Sequence, residues 1–146
     1  MPPHNTQQPR LHAPARPSCN VLCADADDDS RLLIAEILYE YDVDFALTAD
    51  DAVQLAYSRA YDLCFVDPAL PGFSELLIPQ LRLFNADLPV VMCIGSRART
   101  CYGAAIHAIL HKPLSALAVR TTAMRELRTR PCSVAQSPTG AVAMRS

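Results

Sequence analysis

No apolar run in this 146-residue chain approaches the roughly 20 residues that a membrane span requires. The N-terminus lacks the hydrophobic stretch of a secretory signal, so a cytoplasmic location is the expectation. None of the six cysteines stands in a C-x-x-C pair, which argues against a zinc knuckle or a dithiol redox motif. Cys23, Cys64 and Cys93 instead lie inside apolar, strand-like runs and read as small buried hydrophobes. Acidic residues are scarce in the C-terminal part: 14 of the 15 precede residue 88. After residue 96, eight basic side chains (Arg97, Arg99, Lys112, Arg120, Arg125, Arg128, Arg130, Arg145) accompany Glu126 alone. The two ends should therefore present different surfaces. No aromatic residues are interleaved with those arginines and no recognition motif appears, so nucleic acid is not an expected partner.

What is present describes one globular domain with a real core: 51% hydrophobic residues, 19% charged residues and a net charge of −2. Residues 1–18 hold five prolines and cannot bury much; they and residues 130–146 read as disordered tails around a domain over residues 19–129. His4 and His12 fall in the first tail, which makes them improbable metal ligands.

The domain is organised around residues 61–72. Leu63 to Val66 is a short apolar run that ends on a carboxylate, Asp67, followed by the turn residues Pro68, Pro71 and Gly72. Upstream, a strand over 20–24 runs into Asp25, Asp27, Asp28 and Asp29, with Asp29 or Ser30 expected to cap a helix over 30–41. That helix carries Leu33, Ile34, Ile37, Leu38 and Tyr41 at helical spacing. A strand over 43–47 and a helix over 50–59 follow, the latter burying Val53 and Ala56. Downstream come a helix over 74–84, either starting late or kinked at Pro79, and a strand over 88–94. A weak, Ala-rich helix over 98–107 leads to a strand over 108–111. Ser115 then caps a final helix to residue 128, with Leu117, Thr121, Met124 and Leu127 or Arg128 along one side. His107 and His111 flank the last strand and read as structural histidines.

Five alternations of strand and helix with short connections predict an α/β fold, a doubly wound five-stranded parallel sheet. Functional groups in such a sheet gather beyond the carboxyl ends of the strands. Those ends carry Asp25, Asp67, the 94–96 loop and Lys112, a set suited to a divalent cation and a phosphoryl group.

At these residues the chain resembles the receiver domain of two-component response regulators, a flavodoxin-like (βα)5 fold. The resemblance covers residues 20–128 and rests on the acidic cluster after the first strand and the Asp-x-x-x-Pro-Gly turn at Asp67 to Gly72. It rests also on Pro89-Val-Val-Met92 and the Lys112-Pro113 pair. It implies that Asp67 accepts a phosphoryl group from a histidine kinase or phosphotransfer protein, with Lys112 paired to the phosphate. It implies Mg²⁺ held by Asp25, Asp67 and the carbonyl of Ala69. Several positions depart from the family pattern. The second acidic position falls on Ala26, with Asp27 next along as a stand-in. The hydroxyl position falls on Ile94, with Ser96 two residues on, and the switch aromatic on Ile109. The interval from Asp67 to Lys112 is short, and Phe73-Ser74-Glu75 stands where a second acidic-Gly pair is usual.

The resemblance thus implies a single-domain signalling receiver with an atypical site, not an enzyme, acting by protein–protein contact. In the family the fourth helix, fifth strand and fifth helix form the usual docking face; here it carries Arg99, Arg120, Arg125 and Arg128, which favours an acidic downstream partner. The alternative is a receiver-like interaction module that works without phosphorylation. A third reading takes Asp25-Ala-Asp27 as the Asp-x-Asp motif of haloacid-dehalogenase-type phosphatases, with Asp25 as nucleophile, Asp27 as general acid and Lys112 in support. That reading lacks a further acidic motif, since only Glu126 lies beyond the lysine.

Overall fold

A computed structural model describes residues 19–95 and 106–128. The strands are β1 (Asn20–Ala24), β2 (Asp42–Ala46), β3 (Leu63–Val66), β4 (Val90–Ile94) and β5 (Ala108–His111). All pair in parallel, in the order β2-β1-β3-β4-β5. The helices among the described residues are α1 (Asp28–Ile37), α2 (Ala49–Ser58), α3 (Leu77–Leu81) and α4 (Ala116–Arg128). The expected doubly wound sheet is therefore observed, and its strand order reverses between β1 and β3.

The three central strands are buried at every position, which is why β3 and β4, and β1 after its opening Asn20, read as unbroken apolar runs. Alternation along each strand divides the core in two. Leu22, Cys64, Val66, Val90 and Met92 pack with Ala52, Ala56, Leu77 and Leu81 of α2 and α3. Val21, Cys23, Phe65, Val91 and Cys93 pack with Ile34, Val119, Ala123 and Leu127 of α1 and α4. Burial pushes the thiol pKa of Cys23 and Cys93 well up and that of Cys64 to about 12. These three are small core residues, as expected, and their thiols are free. Among the described residues no helix is long and apolar enough to cross a membrane.

Several local expectations are corrected. Asp27, not Asp29 or Ser30, caps α1: its backbone is extended (φ −83°, ψ 119°) and its side chain accepts from the Asp29 amide. The helix therefore starts at Asp28 and ends at Ile37, short of Tyr41. Thr48 caps α2 by accepting from the Asp51 amide at 3.1 Å. Strand β2 is shifted one residue back from the expected 43–47, leaving Leu47 46% exposed. Helix α3 is shorter than 74–84 and begins late, with Pro79 in its first turn, where a missing N–H costs nothing.

Helix α4 turns a different side inward from the one expected. Val119, Thr122, Ala123 and Leu127 are buried, while Leu117 is 76% exposed and Thr121 and Met124 face outward. Most of the expected helix over 98–107, and both expected tails, lie outside the described residues; Ile106 and His107 are not helical.

The turn after β3 is fixed by glycine chemistry. Gly72 sits at φ +83°, and a Cβ placed on it would lie 3.3 Å from the Ala49 Cβ. Next to it, the Ala49 amide donates to the Pro71 carbonyl at 2.9 Å, joining the turn to the start of α2. Gly72→Ala should lower stability by about 1–2 kcal/mol through the left-handed backbone alone. Gly95→Ala, where an added Cβ meets nothing within 4 Å, should leave stability unchanged or raise it by up to about 1 kcal/mol. Urea denaturation of both variants against the parent measures the difference.

Candidate functional site

The sheet itself positions the site. Beyond the end of β1 the Asp25 amide donates to the Ala46 carbonyl at 3.0 Å. Beyond β3 the Asp67 amide donates to the Ala24 carbonyl at 3.0 Å, and beyond β5 the Lys112 amide donates to the Ile94 carbonyl at 2.8 Å. Each residue thus extends the parallel ladder by one step, so the three side chains leave the same edge of the sheet. Asp25 and Asp67 are buried there, at 1% and 7% exposure.

Lys112 is the only lysine in the chain. Its Nζ lies 2.6 Å from Oδ2 of Asp67, 3.0 Å from Asp25 and 3.4 Å from Oδ2 of Asp27. Each carboxylate also accepts from a backbone amide. Asp27 N donates to Asp25 at 2.9 Å, Ala69 N to Asp67 at 2.8 Å and Asp29 N to Asp27 at 3.3 Å. Ser30 donates its hydroxyl to Oδ2 of Asp27 at 2.8 Å. Oδ2 of Asp25 is buried without a hydrogen-bond partner, although the ammonium lies 3.0 Å away as an ion-pair contact.

These contacts shift the titrations. Burial alone would lower the Lys112 pKa, but its hydrogen bonds to Asp67 and Asp25 and their charges win and raise it well above 10.5. Burial raises Asp25 above 3.8, against the opposing Asp27 amide and Lys112. The Ser30 hydroxyl, with Lys112 and the Asp29 amide, holds Asp27 below 3.8. Lys112 is therefore a fixed cation at any ordinary pH.

The structure brings together four of the residues named from sequence: Asp25, Asp27, Asp67 and Lys112. Ala69 meets the site through its amide. Ile94 is buried at the end of β4, and Ile109 is 38% exposed on β5. Ser96 lies outside the described residues. Sequence reasoning missed the role of Ser30, whose signal was its place three residues after the capping Asp27. It also missed that Asp27 serves the helix. The site opens onto a cavity of about 540 Å³ lined by Asp27, Asp29, Ser30, Leu33, Gly95, Lys112, Pro113 and Leu114. A second cavity of about 280 Å³, at the other end of the sheet, borders Tyr57, Arg59, Tyr61 and Phe84; there Arg59 is already paired with Asp42 and Asp44.

The sheet order and the carboxylates at its switch point define a flavodoxin-like doubly wound domain. No protein-family model matches the chain, and no curated protein matches it. Solved structures do. The receiver domain of NtrX from Brucella abortus is 28% identical with a TM-score of 0.66, over 75% of this chain and 99% of that one. NtrX from Brucella abortus in complex with ADP is 30% identical with a TM-score of 0.67, over 77% of this chain but only 26% of that one. A CheY-like receiver domain protein from Methanospirillum hungatei JF-1 is 18% identical with a TM-score of 0.69 and shares the fold, over 77% of this chain and 95% of that one. In fold and in sequence the domain described here is similar to receiver domains of the response-regulator type.

Two predictions test the site electrostatics. Lys112→Met removes the cation from two buried carboxylates and should cost roughly 3 kcal/mol at neutral pH. Asp25, already raised, rises further in that variant. Its contribution is lost as pH climbs above 3.8 and recovered on acidification. Urea denaturation at neutral pH and at about pH 5 should show the smaller deficit at the lower pH. The parent keeps the Lys112 contribution below pH 10.5 and loses it only as pH rises through the raised value. Asp27→Ala should cost about 1 kcal/mol by uncapping α1. Because Asp27 is held below 3.8, the difference from the parent should shrink as pH falls below 3.8.

Proposed function

We propose that this domain is a two-component signalling receiver in which Asp67 accepts a phosphoryl group from a histidine kinase or phosphotransfer protein. The single observation that carries this reading is the 2.6 Å pair between Asp67 and Lys112 at the carboxyl edge of the sheet. In the transfer, a carboxylate oxygen of Asp67 attacks the phosphorus of a phosphohistidine. A P–O bond forms and the P–N bond breaks. The imidazole leaves with the electron pair, neutral because its other nitrogen carries a proton. Lys112 is too basic to give up a proton, so its role is to pair with the phosphoryl oxygens. The modification adds close to two negative charges, which the ammonium and nearby amides must meet.

The output is contact with another protein. Leu117, Met124 and Arg125 lie on the outward side of α4, and Ile109 of β5 is exposed as well. Arg120 instead reaches Glu40 and the Ile37 carbonyl, and Arg125 lies 3.4 Å from Glu126, so this face is less basic than a count of arginines suggests. The partner surface is accordingly apolar with some acidic character.

One observation favours a second reading, a module that signals without phosphate. Ile94, at the hydroxyl position, is aliphatic and 1% exposed, and it offers a phosphoryl group no hydrogen bond. The phosphatase reading draws less support. The Asp25 side chain is 2% exposed, against 10% for Asp67, and Asp27 is engaged as a helix cap.

Intact mass after incubation with acetyl phosphate, for the parent beside Asp67→Asn, tests the proposal. A single phosphoryl adduct absent from the variant is the expected result. No adduct, while a known active receiver is labelled in parallel, or an adduct that survives in Asp67→Asn, sinks it.

A further inference from the structure

We infer that the ammonium of Lys112 is the resident cation of the acidic site and that Mg²⁺ does not bind there. A receiver implies Mg²⁺ at this edge of the sheet, and the residues present do not fit it. Magnesium demands near-octahedral oxygen ligands at about 2.0–2.1 Å. The position beside Asp25 is Ala26, whose methyl supplies no oxygen. Asp27, the next carboxylate, is turned to α1, where it accepts from the Asp29 amide and the Ser30 hydroxyl. Binding a metal would take it away from both.

That leaves Asp25 and Asp67, and the space between them is filled. The ammonium stands 3.0 Å from one and 2.6 Å from the other, with Asp27 at 3.4 Å. A lysine ammonium has three donors and no acceptor, and here three carboxylates surround it. A backbone amide supplies each carboxylate with a further bond. An ion placed on Asp25 and Asp67 at magnesium distances would sit against the ammonium charge and would have to expel it. The Oδ2 of Asp25, the one buried side-chain acceptor left without a hydrogen bond among the described residues, lies within ion-pair distance of the same ammonium.

A consequence follows that rests on the proposed function: phosphoryl transfer to Asp67 needs no divalent metal. The two statements are tested separately. Thermal denaturation of the full chain is followed as Mg²⁺ is added, against NaCl of matched ionic strength, for the parent and for Ala26→Asp. Residue 26 is exposed, so the variant should fold. The parent Tm should not move. Ala26→Asp should rise by roughly 5 °C at about tenfold its Kd for the ion. A rise in the parent matching that of Ala26→Asp overturns the inference. Acetyl phosphate labelling is then repeated with EDTA in place of Mg²⁺. An equal adduct in both supports inference and proposed function together. An adduct only with Mg²⁺ overturns the inference and keeps Asp67 as acceptor. No adduct in either, with a parent Tm indifferent to Mg²⁺, supports the inference and removes Asp67 as acceptor.

Discussion

The ammonium of Lys112 holds the carboxyl edge of this sheet together. Strands β1 and β3 are neighbours, and each releases the chain on an aspartate that is almost fully buried. Two carboxylates so close would repel and lose their water at the same time. The lysine at the end of β5, two strands away from β3 in the sheet, reaches across to both. The ion cluster therefore depends on the whole sheet being in register, and in return it ties β5 to the centre. A parallel sheet assembled from non-local pairings gains from such a tie.

Much of this was legible in the sequence because the central strands are covered on both sides. A strand buried on both faces has to be apolar throughout, so Leu63–Val66 could be bounded to the residue; Ala108–His111, a half-exposed edge strand, was bounded instead by the Lys112-Pro113 pair that ends it. Asp25 and Asp67 were legible because each follows such a run directly and precedes loop chemistry; Lys112 was legible because it stands with Pro113 at the end of β5. The edge strand β2 was less sharply marked: it opens on an exposed aspartate, and its register is set by pairing with β1.

The local details were not legible, for physical reasons. With Asp25, Asp27, Asp28 and Asp29 in a row, propensity cannot choose the cap; the torsions at Asp27, fixed by where β1 ends, make the choice. Helix α4 offers two stripes of helical spacing, one through Leu117, Thr121 and Met124 and one through Val119, Thr122, Ala123 and Leu127. Leu117 and Met124 made the first look like the core. Packing beneath Phe65 and Val91 selects the second, in which Ala123 and Thr122 take up little room. Ser30 was passed over because its contribution is one hydroxyl bond to an aspartate that was itself assigned to the site.

Cys23, Cys64 and Cys93 place one thiol on each of the three central strands, all fully buried and all far less acidic than a free cysteine. The thiolate is the form that oxidants and alkylating agents attack. These three sulfurs stay chemically silent while the sheet is closed and become reactive only when it opens. Peroxide or nitrosating stress would therefore leave the folded domain's Asp67 and Lys112 untouched through this route. The same sulfurs would record unfolding, strand by strand, as damage that the native state does not accumulate.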